Sequence, residues 1–145
     1  MKAVVTGGAG FIGSHLSDFL ISEGAEVSVI DNLSTGNEDN LNSNVDFIND
    51  DINSSSLDTY LKNKDYVFHV AALPRITPSF DDRFEHHIAN TDGTLNVIEA
   101  SHRQGIKKIV FSGSSAVYGQ PLVTPTDESS PIAPLNPYAL QKYTA

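Results

Sequence analysis

The stretch TGGAGFIG at residues 6–13 gives the strongest indication of the fold class. It directly follows the apolar run KAVVT at residues 2–6, which is typical of a buried strand. Gly7, Gly10 and Gly13 allow a tight turn and let a bound group approach the backbone closely. Because the stretch 11–23 then has apolar residues at helical spacing, the turn leads into a helix whose free amides and dipole favour phosphate. A glycine-rich turn with no ligand is the alternative interpretation.

Strand-like and helix-like stretches alternate through the rest of the chain. Further strands are predicted at 26–30, 45–49, 65–70 and 107–112, a short helix at 54–61, and a long helix at 79–103. The long helix carries apolar residues at Phe80, Phe84, Ile88, Leu95 and Ile98. Strands separated by helices predict a parallel sheet with right-handed crossovers. We therefore predict an α/β, Rossmann-type doubly wound sheet of strand order 3-2-1-4-5, with residues 1–145 as one dinucleotide-binding domain.

Composition narrows the class of protein. The chain has 145 residues and is 39% hydrophobic, which suits one globular domain. The absence of cysteine excludes disulfides and thiolate metal sites, and the five histidines lack clustered partners, so no metal is expected. A net charge of −9 argues against a nucleic-acid partner. No apolar run is long enough to span a membrane and no signal peptide is evident, so a cytoplasmic location is expected.

Asp31 lies at the end of the second predicted strand, 18 residues after Gly13. A carboxylate at this point accepts hydrogen bonds from the ribose hydroxyls of adenosine and repels a 2′-phosphate. The position therefore favours NAD over NADP as the cofactor. A turn or helix-capping aspartate is the alternative interpretation.

Three polar residues in the second half of the chain suggest proton chemistry. Ser114 follows the fifth predicted strand, at the sheet edge where such folds bind ligands. Tyr138 and Lys142 are four residues apart and share one helix face. A nearby ammonium group favours the phenolate form of tyrosine, which makes the pair a candidate base near neutral pH. Taken alone, the pair has the alternative interpretation of a surface helix pair.

The end of the chain differs from the rest. Five prolines punctuate residues 116–137, which predicts either a functional loop or disorder. A helix then begins near Tyr138, and the chain ends three residues after Lys142. We therefore expect the chain to be a fragment of a longer protein.

Six stretches together resemble the extended short-chain dehydrogenase/reductase family, in its NAD-dependent sugar epimerase/dehydratase branch. They are TGGAGFIGSHL at 6–16, DNLSTGN at 31–37, HVAA at 69–72, NTDGTLNVIEA at 90–100, FSGSSAVYG at 111–119 and PYALQK at 137–142. The resemblance spans the whole chain, and the matches occur in the family's order. Two departures are Asp50, where the family usually has glycine, and Gln141, where it usually has serine.

The resemblance implies a role for each matched position. The diphosphate of NAD would lie against the glycine turn and the amides of Phe11 and Ile12. The adenosine would be held by Asp31, Asn32, Ser34, Thr35, Gly36, Asp51 and Ile52. The nicotinamide end would involve Val70, Ala71, Ala72, Asn90, Ser112, Tyr138 and Lys142. Tyr138 would be the base, Lys142 its partner, and Ser114 the hydroxyl that binds the sugar.

The segment Ser114-Ser115-Ala116 favours one reaction within the family. The family's dehydratases and decarboxylases carry acidic residues there, whereas epimerases need none. The resemblance thus implies a nucleotide-sugar 4-epimerase that interconverts UDP-glucose and UDP-galactose through a 4-keto sugar. It also implies a homodimer formed through the helices near 79–103 and from 138 onward. The alternatives are a related sugar reductase, a sugar-acid epimerase, or a non-catalytic NAD-binding module.

Overall fold

The computed structural model describes residues 1–121 and 123–145, so that Leu122 in the proline-rich segment lies outside the described residues. These residues form a parallel sheet in the order β3-β2-β1-β4-β5, which confirms the predicted strand order and α/β class. The strands are β1 (Lys2–Thr6), β2 (Glu26–Asp31), β3 (Asp46–Asn49), β4 (Tyr66–His69) and β5 (Lys108–Phe111). The helices are α1 (Phe11–Ser22), α2 (Leu57–Leu61), α3 (Ile76–Asp81), α4 (Arg83–His87), α5 (Gly93–Arg103) and α6 (Pro137–Thr144).

Both faces of the sheet are covered, as the near-continuous apolar strands require. On β1, Ala3 and Val5 belong to the core on one face, together with Leu20 of α1. Val4 belongs to the core on the other face, together with Leu57 of α2 and Val97 of α5. This arrangement leaves the carboxyl ends of the strands as an open edge between the two helical layers, where ligands of such sheets bind.

The single long helix predicted over 79–103 is wrong. Helix α3 ends at Asp81, and Asp82 adopts a non-helical backbone (φ −128°) from which its side chain accepts a hydrogen bond from the Glu85 amide at 2.9 Å. Helix α4 starts there and continues through a π-helical turn, Ile88–Asp92, into α5. Asp82 therefore caps a new helix, as its preference for helix N-termini favours.

The apolar stripe of this region also faces outward. The side chains of Phe80, Phe84, Ile88, Leu95 and Ile98 are all exposed, and Phe84 is 84% exposed. Helix α1 behaves similarly, since its buried residues are Gly13, Ser14, Ser17 and Leu20 whereas Phe11 and Phe19 are exposed. Small residues let α1 pack closely on the sheet beside Leu20, whereas Phe11 and Phe19 are left on the outer side.

Among the described residues, no helix is both long and apolar enough to cross a membrane.

Candidate functional site

Two adjoining cavities lie along the carboxyl edge of the sheet. The first, of about 290 Å³, lies over the ends of β2 and β3, and the second, of about 650 Å³, extends from the glycine turn to α6. Their walls share Gly7, Asp31, Thr35, Ala71, Ala72 and Leu73. The shared wall makes them one groove, which passes from the end of β2 across β1 and β4 to Tyr138 and Lys142.

The glycine turn forms the middle of this groove. Gly7 has φ +72°, and a Cβ atom there would meet the backbone nitrogen and Cα of Ala71 at 2.7 Å. A Cβ atom on Gly13 would overlap the carbonyl oxygen of Gly7. The amides of Phe11 and Ile12 lie in the first turn of α1, where no helix carbonyl can accept from them. Gly10, the N-cap residue, has no side chain that could accept instead. These amides belong to residues that line the second cavity, which suits an anionic group.

Asp31 joins the turn to the end of β2. Its two carboxylate oxygens accept hydrogen bonds from the Ala9 amide at 2.9 Å and the Leu33 amide at 2.8 Å. It is thus a turn aspartate, as one interpretation of the sequence expected, and it also lines both cavities. Each oxygen keeps a lone pair for a further donor, so that the geometry also leaves room for the ribose interpretation.

The first cavity is bordered by a second hydrogen-bonded loop. Asn32 donates to the Asp51 carboxylate at 2.6 Å. Asp50, the departure from the family pattern, accepts from the Tyr60 hydroxyl at 2.6 Å and from the Asp51 amide at 2.8 Å. The hydrogen bond from Tyr60 lowers the pKa of Asp50 below its ordinary value. Asp50 therefore orders the loop that follows β3 as an ionised carboxylate.

Lys142 is the unusual charge at the other end of the groove. The residue is only 6% exposed, and it lines the second cavity. Its Nζ atom lies 4.1 Å from the centroid of the Phe111 ring, and burial lowers its pKa to about 8. A cation on a largely buried residue is costly unless water or a ligand in the cavity supplies hydrogen-bond acceptors. Tyr138 lines the same cavity, one helical turn earlier on α6.

Both ring nitrogens of His69, at the end of β4, have hydrogen-bond partners. Thr94 Oγ1 donates to the Asn90 carbonyl at 2.7 Å, so it accepts from His69 Nε2 at 2.9 Å. Nδ1 then carries no proton and accepts from Thr6 Oγ1 at 2.7 Å, whose own oxygen accepts from the Ala71 amide at 3.3 Å. This assignment of the imidazole proton follows from the directions of the neighbouring bonds. Burial, followed by the charge of Lys142, lowers the pKa of His69 to about 4.

The lowered pKa of His69 predicts an acid-labile fold. Unfolded His69 binds a proton near pH 6.5, whereas folded His69 does so only near pH 4, so the unfolded state binds more protons between these values. The contribution of neutral His69 to the free energy of unfolding is fully present above about pH 6.5. It is lost as the pH falls towards 4, which lowers the free energy of unfolding by about 3 kcal/mol. Urea unfolding from pH 7 to pH 4 measures this loss. The matched variant at an exposed histidine, His102→Gln, should keep the wild-type dependence, and His69→Phe should flatten it.

Asn90 lies in the π-helical turn and fixes the wall of the groove. Its side chain accepts from the Leu73 amide at 2.8 Å and donates to the Leu73 carbonyl at 3.1 Å. It also donates to Gln141 of α6 at 3.2 Å. Gln141 is buried and donates to the Arg83 carbonyl at 3.4 Å, so this departure from the family pattern ties α6 to α4. A π-helical turn is frequent at functional sites, and here it turns Asn90 inward.

The structure brings most of the predicted site residues to the groove. The first cavity is lined by Asn32, Ser34, Asp51 and Ile52, and the second by Gly7, Gly10, Phe11, Ile12, Gly13, Thr35, Val70, Ala71, Ala72, Ser112, Tyr138 and Lys142. Gly36, Asn90 and Ser114 do not line it. Gly36 lies beneath Asp31, where a Cβ atom would stand 3.0 Å from the carboxylate. Ser114 caps the 3₁₀ turn Ser115–Tyr118, with Oγ accepting from the Ala116 amide at 3.2 Å.

Several residues of the groove were not predicted from the sequence. The wall of the second cavity also contains Leu73, Pro74, Arg75, Pro78 and His86. Arg75 has φ +82°, a backbone conformation that costs energy for a residue with a side chain. Asn53, Glu85, Ile88 and Ala89 contribute to the first cavity. The residues after HVAA have no local sequence pattern that indicates a binding site, because their place in the wall depends on how α3 and α4 pack beside the sheet.

Within the described residues, no group of three or more histidine, aspartate or glutamate side chains is arranged to hold a metal ion.

Comparisons with known proteins show the family of the chain. Residues 3–145 match the model of the NAD dependent epimerase/dehydratase family. The UDP-glucose 4-epimerase of Halalkalibacterium halodurans is 40% identical over 145 residues, which is 98% of this chain and 43% of that protein. The chain therefore belongs to the NAD-dependent epimerase/dehydratase family. Its relatives include nucleotide-sugar 4-epimerases, and the chain spans about half the length of the curated relatives it matches.

Two solved structures carry the comparison further. The UDP-N-acetylglucosamine 4-epimerase of Methanobrevibacter ruminantium, in complex with UDP-N-acetylmuramic acid, is 44% identical with a TM-score of 0.93 and is matched over 99% of this chain and 47% of its own. The UDP-glucose 4-epimerase of Thermus thermophilus in complex with NAD is 36% identical with a TM-score of 0.92, matched over 98% and 47%. NAD is thus the family's cofactor, and the free amides of the turn and the Lys142 ammonium at the cavity wall suit it.

Proposed function

We propose that the protein is a nucleotide-sugar 4-epimerase that interconverts UDP-glucose and UDP-galactose. The observation that carries this proposal is the shared groove, in which Tyr138 and the largely buried Lys142 lie at one end and the glycine turn lies in the middle. A phosphate-binding turn and a base in one groove suit a reaction in which a sugar hydroxyl loses its proton beside a bound dinucleotide.

The residues of the chain divide the work between binding and proton transfer. NAD, when bound, would supply the acceptor and donor of the hydride at C4 of the sugar. The amides of Phe11 and Ile12 would hold the diphosphate, and Asp31 would orient the adenosine ribose. Tyr138 would remove the proton of the sugar 4-hydroxyl and return it after the keto sugar has turned over. The Lys142 ammonium would stabilise the phenolate and donate to ribose hydroxyls.

The segment after β5 favours epimerisation over elimination. Ser115 and Ala116 occupy the positions where related dehydratases and decarboxylases carry acids, so no carboxylate is available there to protonate a leaving hydroxyl. Ser114 caps the Ser115–Tyr118 turn through Oγ. Its hydroxyl hydrogen is free of that bond, so the same residue would still donate to a sugar oxygen.

The test is incubation of the intact protein with UDP-galactose, with no added oxidant or reductant. UDP-glucose should form catalytically, because the hydride returns to the sugar. UDP-N-acetylglucosamine is the comparison substrate, since the Methanobrevibacter relative acts on it. Turnover of that sugar alone would overturn the UDP-glucose assignment and keep the reaction class. In a separate incubation, net oxidation of added NADH by a 4-keto UDP-sugar would favour a reductase instead.

We also propose that the intact protein forms a homodimer through α4, α5 and α6. The supporting observation is a set of exposed apolar side chains on these helices: Phe84, Leu95, Ile98, Leu140 and Tyr143. Exposed patches of this kind mark interfaces between subunits. Phe84→Glu should therefore shift the protein from dimer to monomer in light scattering, whereas Phe19→Glu on α1 should leave its mass unchanged. Equal masses for wild type and Phe84→Glu would contradict the proposal.

A further inference from the structure

We propose that His69 is a positioning residue for the NAD site, which as a neutral imidazole protonated on Nε2 holds the glycine turn and helix α6 in one arrangement. The proposal concerns the cofactor groove itself, and it rests on the proposed function only for its effect on turnover. Its basis is the unbroken chain of hydrogen bonds from the Ala71 amide, through Thr6, His69 and Thr94, to the Asn90 carbonyl.

One half of this chain fixes the floor beneath the glycine turn. Thr6 directly precedes Gly7, and its hydroxyl binds both His69 and the Ala71 amide. Gly7 lies so close to the backbone of Ala71 that a Cβ atom would reach it at 2.7 Å. The imidazole thus sets the distance between two walls of the groove. One wall is the glycine turn, and the other is the end of β4.

The other half reaches the helix that carries Tyr138 and Lys142. Thr94 binds the carbonyl of Asn90, and the side chain of Asn90 binds both Leu73 and Gln141. Gln141 is the neighbour of Lys142 on α6. A shift of His69 would therefore move the wall at Leu73 and α6 together.

Neutral histidine satisfies both hydrogen bonds at this position, whereas other side chains satisfy at most one of them. One ring nitrogen must accept from Thr6 and the other must donate to Thr94, on opposite sides of a side chain that is 1% exposed. Neutral imidazole provides one acceptor and one donor in that geometry. Asparagine or glutamine matches only one of the two nitrogens. A protonated ring would lose the acceptor and would face the Lys142 cation across Phe111, whose centroid lies 5.6 Å from that of His69.

The matched pair Thr94→Val and Thr94→Ser tests the proposal in the intact protein. Valine has the shape of threonine but removes the hydroxyl that binds both His69 Nε2 and the Asn90 carbonyl, whereas serine keeps both bonds. Thr94→Val should raise the dissociation constant for NAD and lower kcat by on the order of tenfold to a hundredfold, because small displacements of site groups cost that much. Thr94→Ser should restore both values. Calorimetric titration with NAD, expressed per folded protein, is the measurement.

A double-mutant cycle distinguishes positioning from simple stability. Since His69→Phe and Thr94→Val interrupt the same chain, the double variant should lose no more NAD affinity than the weaker-binding single variant. Equal NAD dissociation constants for Thr94→Val and Thr94→Ser, or losses that multiply in the double variant, would overturn the proposal. Should wild type bind NAD but turn over no UDP-sugar, the proposed function would fail while the NAD titrations still decide the role of His69.

Discussion

Replacement of Tyr138 by phenylalanine should leave NAD binding intact and reduce turnover of UDP-galactose by roughly a hundredfold to ten-thousandfold, the usual contribution of a general base. Tyr138 lines the groove on the same helix as the Lys142 ammonium, so the variant removes the proton acceptor and keeps the packing of the ring. Among the described residues that line this cavity, Tyr138 is the only tyrosine, so no second phenol there could replace it as the base. Initial rates at saturating UDP-galactose measure the effect.

The natural control is Tyr143→Phe. Tyr143 lies on the same helix, but it is 57% exposed and does not line the groove. It should keep the kcat of the wild-type enzyme. A Tyr138→Phe variant with wild-type turnover would remove the assignment of the base, and a variant that failed to bind NAD would show that Tyr138 serves the cofactor instead.

Replacement of Gly7 by alanine should abolish NAD binding or unfold the turn. The new Cβ atom would lie 2.7 Å from the backbone of Ala71, closer than Cβ atoms approach backbone in folded proteins. Either β4 or the turn must move, and both form the groove. The positive φ alone should cost about 1–2 kcal/mol for alanine. The clash with Ala71 adds to this cost, so the free energy of unfolding should fall by more than the strain alone. Urea unfolding and NAD titration measure the two consequences.

Gly24→Ala separates the clash from the backbone strain. Gly24 has φ +80°, close to the +72° of Gly7, but a Cβ atom there meets nothing within 4 Å. The control should therefore lose only the strain energy and keep the affinity for NAD. Equal losses in the two variants would show that the close approach of the turn to Ala71 has no special role.

The order of the strands could be predicted because each strand has a local signal. The apolar runs alternate with helical stretches, and the rule for parallel crossovers then leaves few topologies. The glycine turn, Asp31 and the Tyr138–Lys142 pair lie where the end of a strand or the start of a helix follows from neighbouring residues. For these parts, local sequence and tertiary structure agree.

The shape of the groove wall could not be predicted in this way. The stripe from Phe80 to Ile98 keeps helical spacing across the break at Asp82, so the periodicity concealed the break. The stripe is exposed, which its spacing could not indicate, because periodicity shows that residues share a side of a helix and not what covers that side.

The hydrogen bonds of His69 show a second limit. Its partner Thr6 is 63 residues away and Thr94 is 25 residues away. Sequence analysis identified His69 only within the family stretch HVAA, since no local pattern indicates which distant hydroxyl meets an imidazole. The inward turn of Asn90 likewise depends on the π-helical turn, which has no reliable signal in the sequence.

The most direct test of the proposed chemistry follows the hydrogen on C4. UDP-galactose labelled with deuterium at C4 is incubated with the intact protein in ordinary water, and the product is analysed by mass spectrometry and NMR. Removal and return of the same hydrogen within the groove predicts UDP-glucose that retains deuterium at C4. Product that carries solvent hydrogen at C4 would contradict the account, because the proton, not the hydride, would then be the species that leaves the carbon.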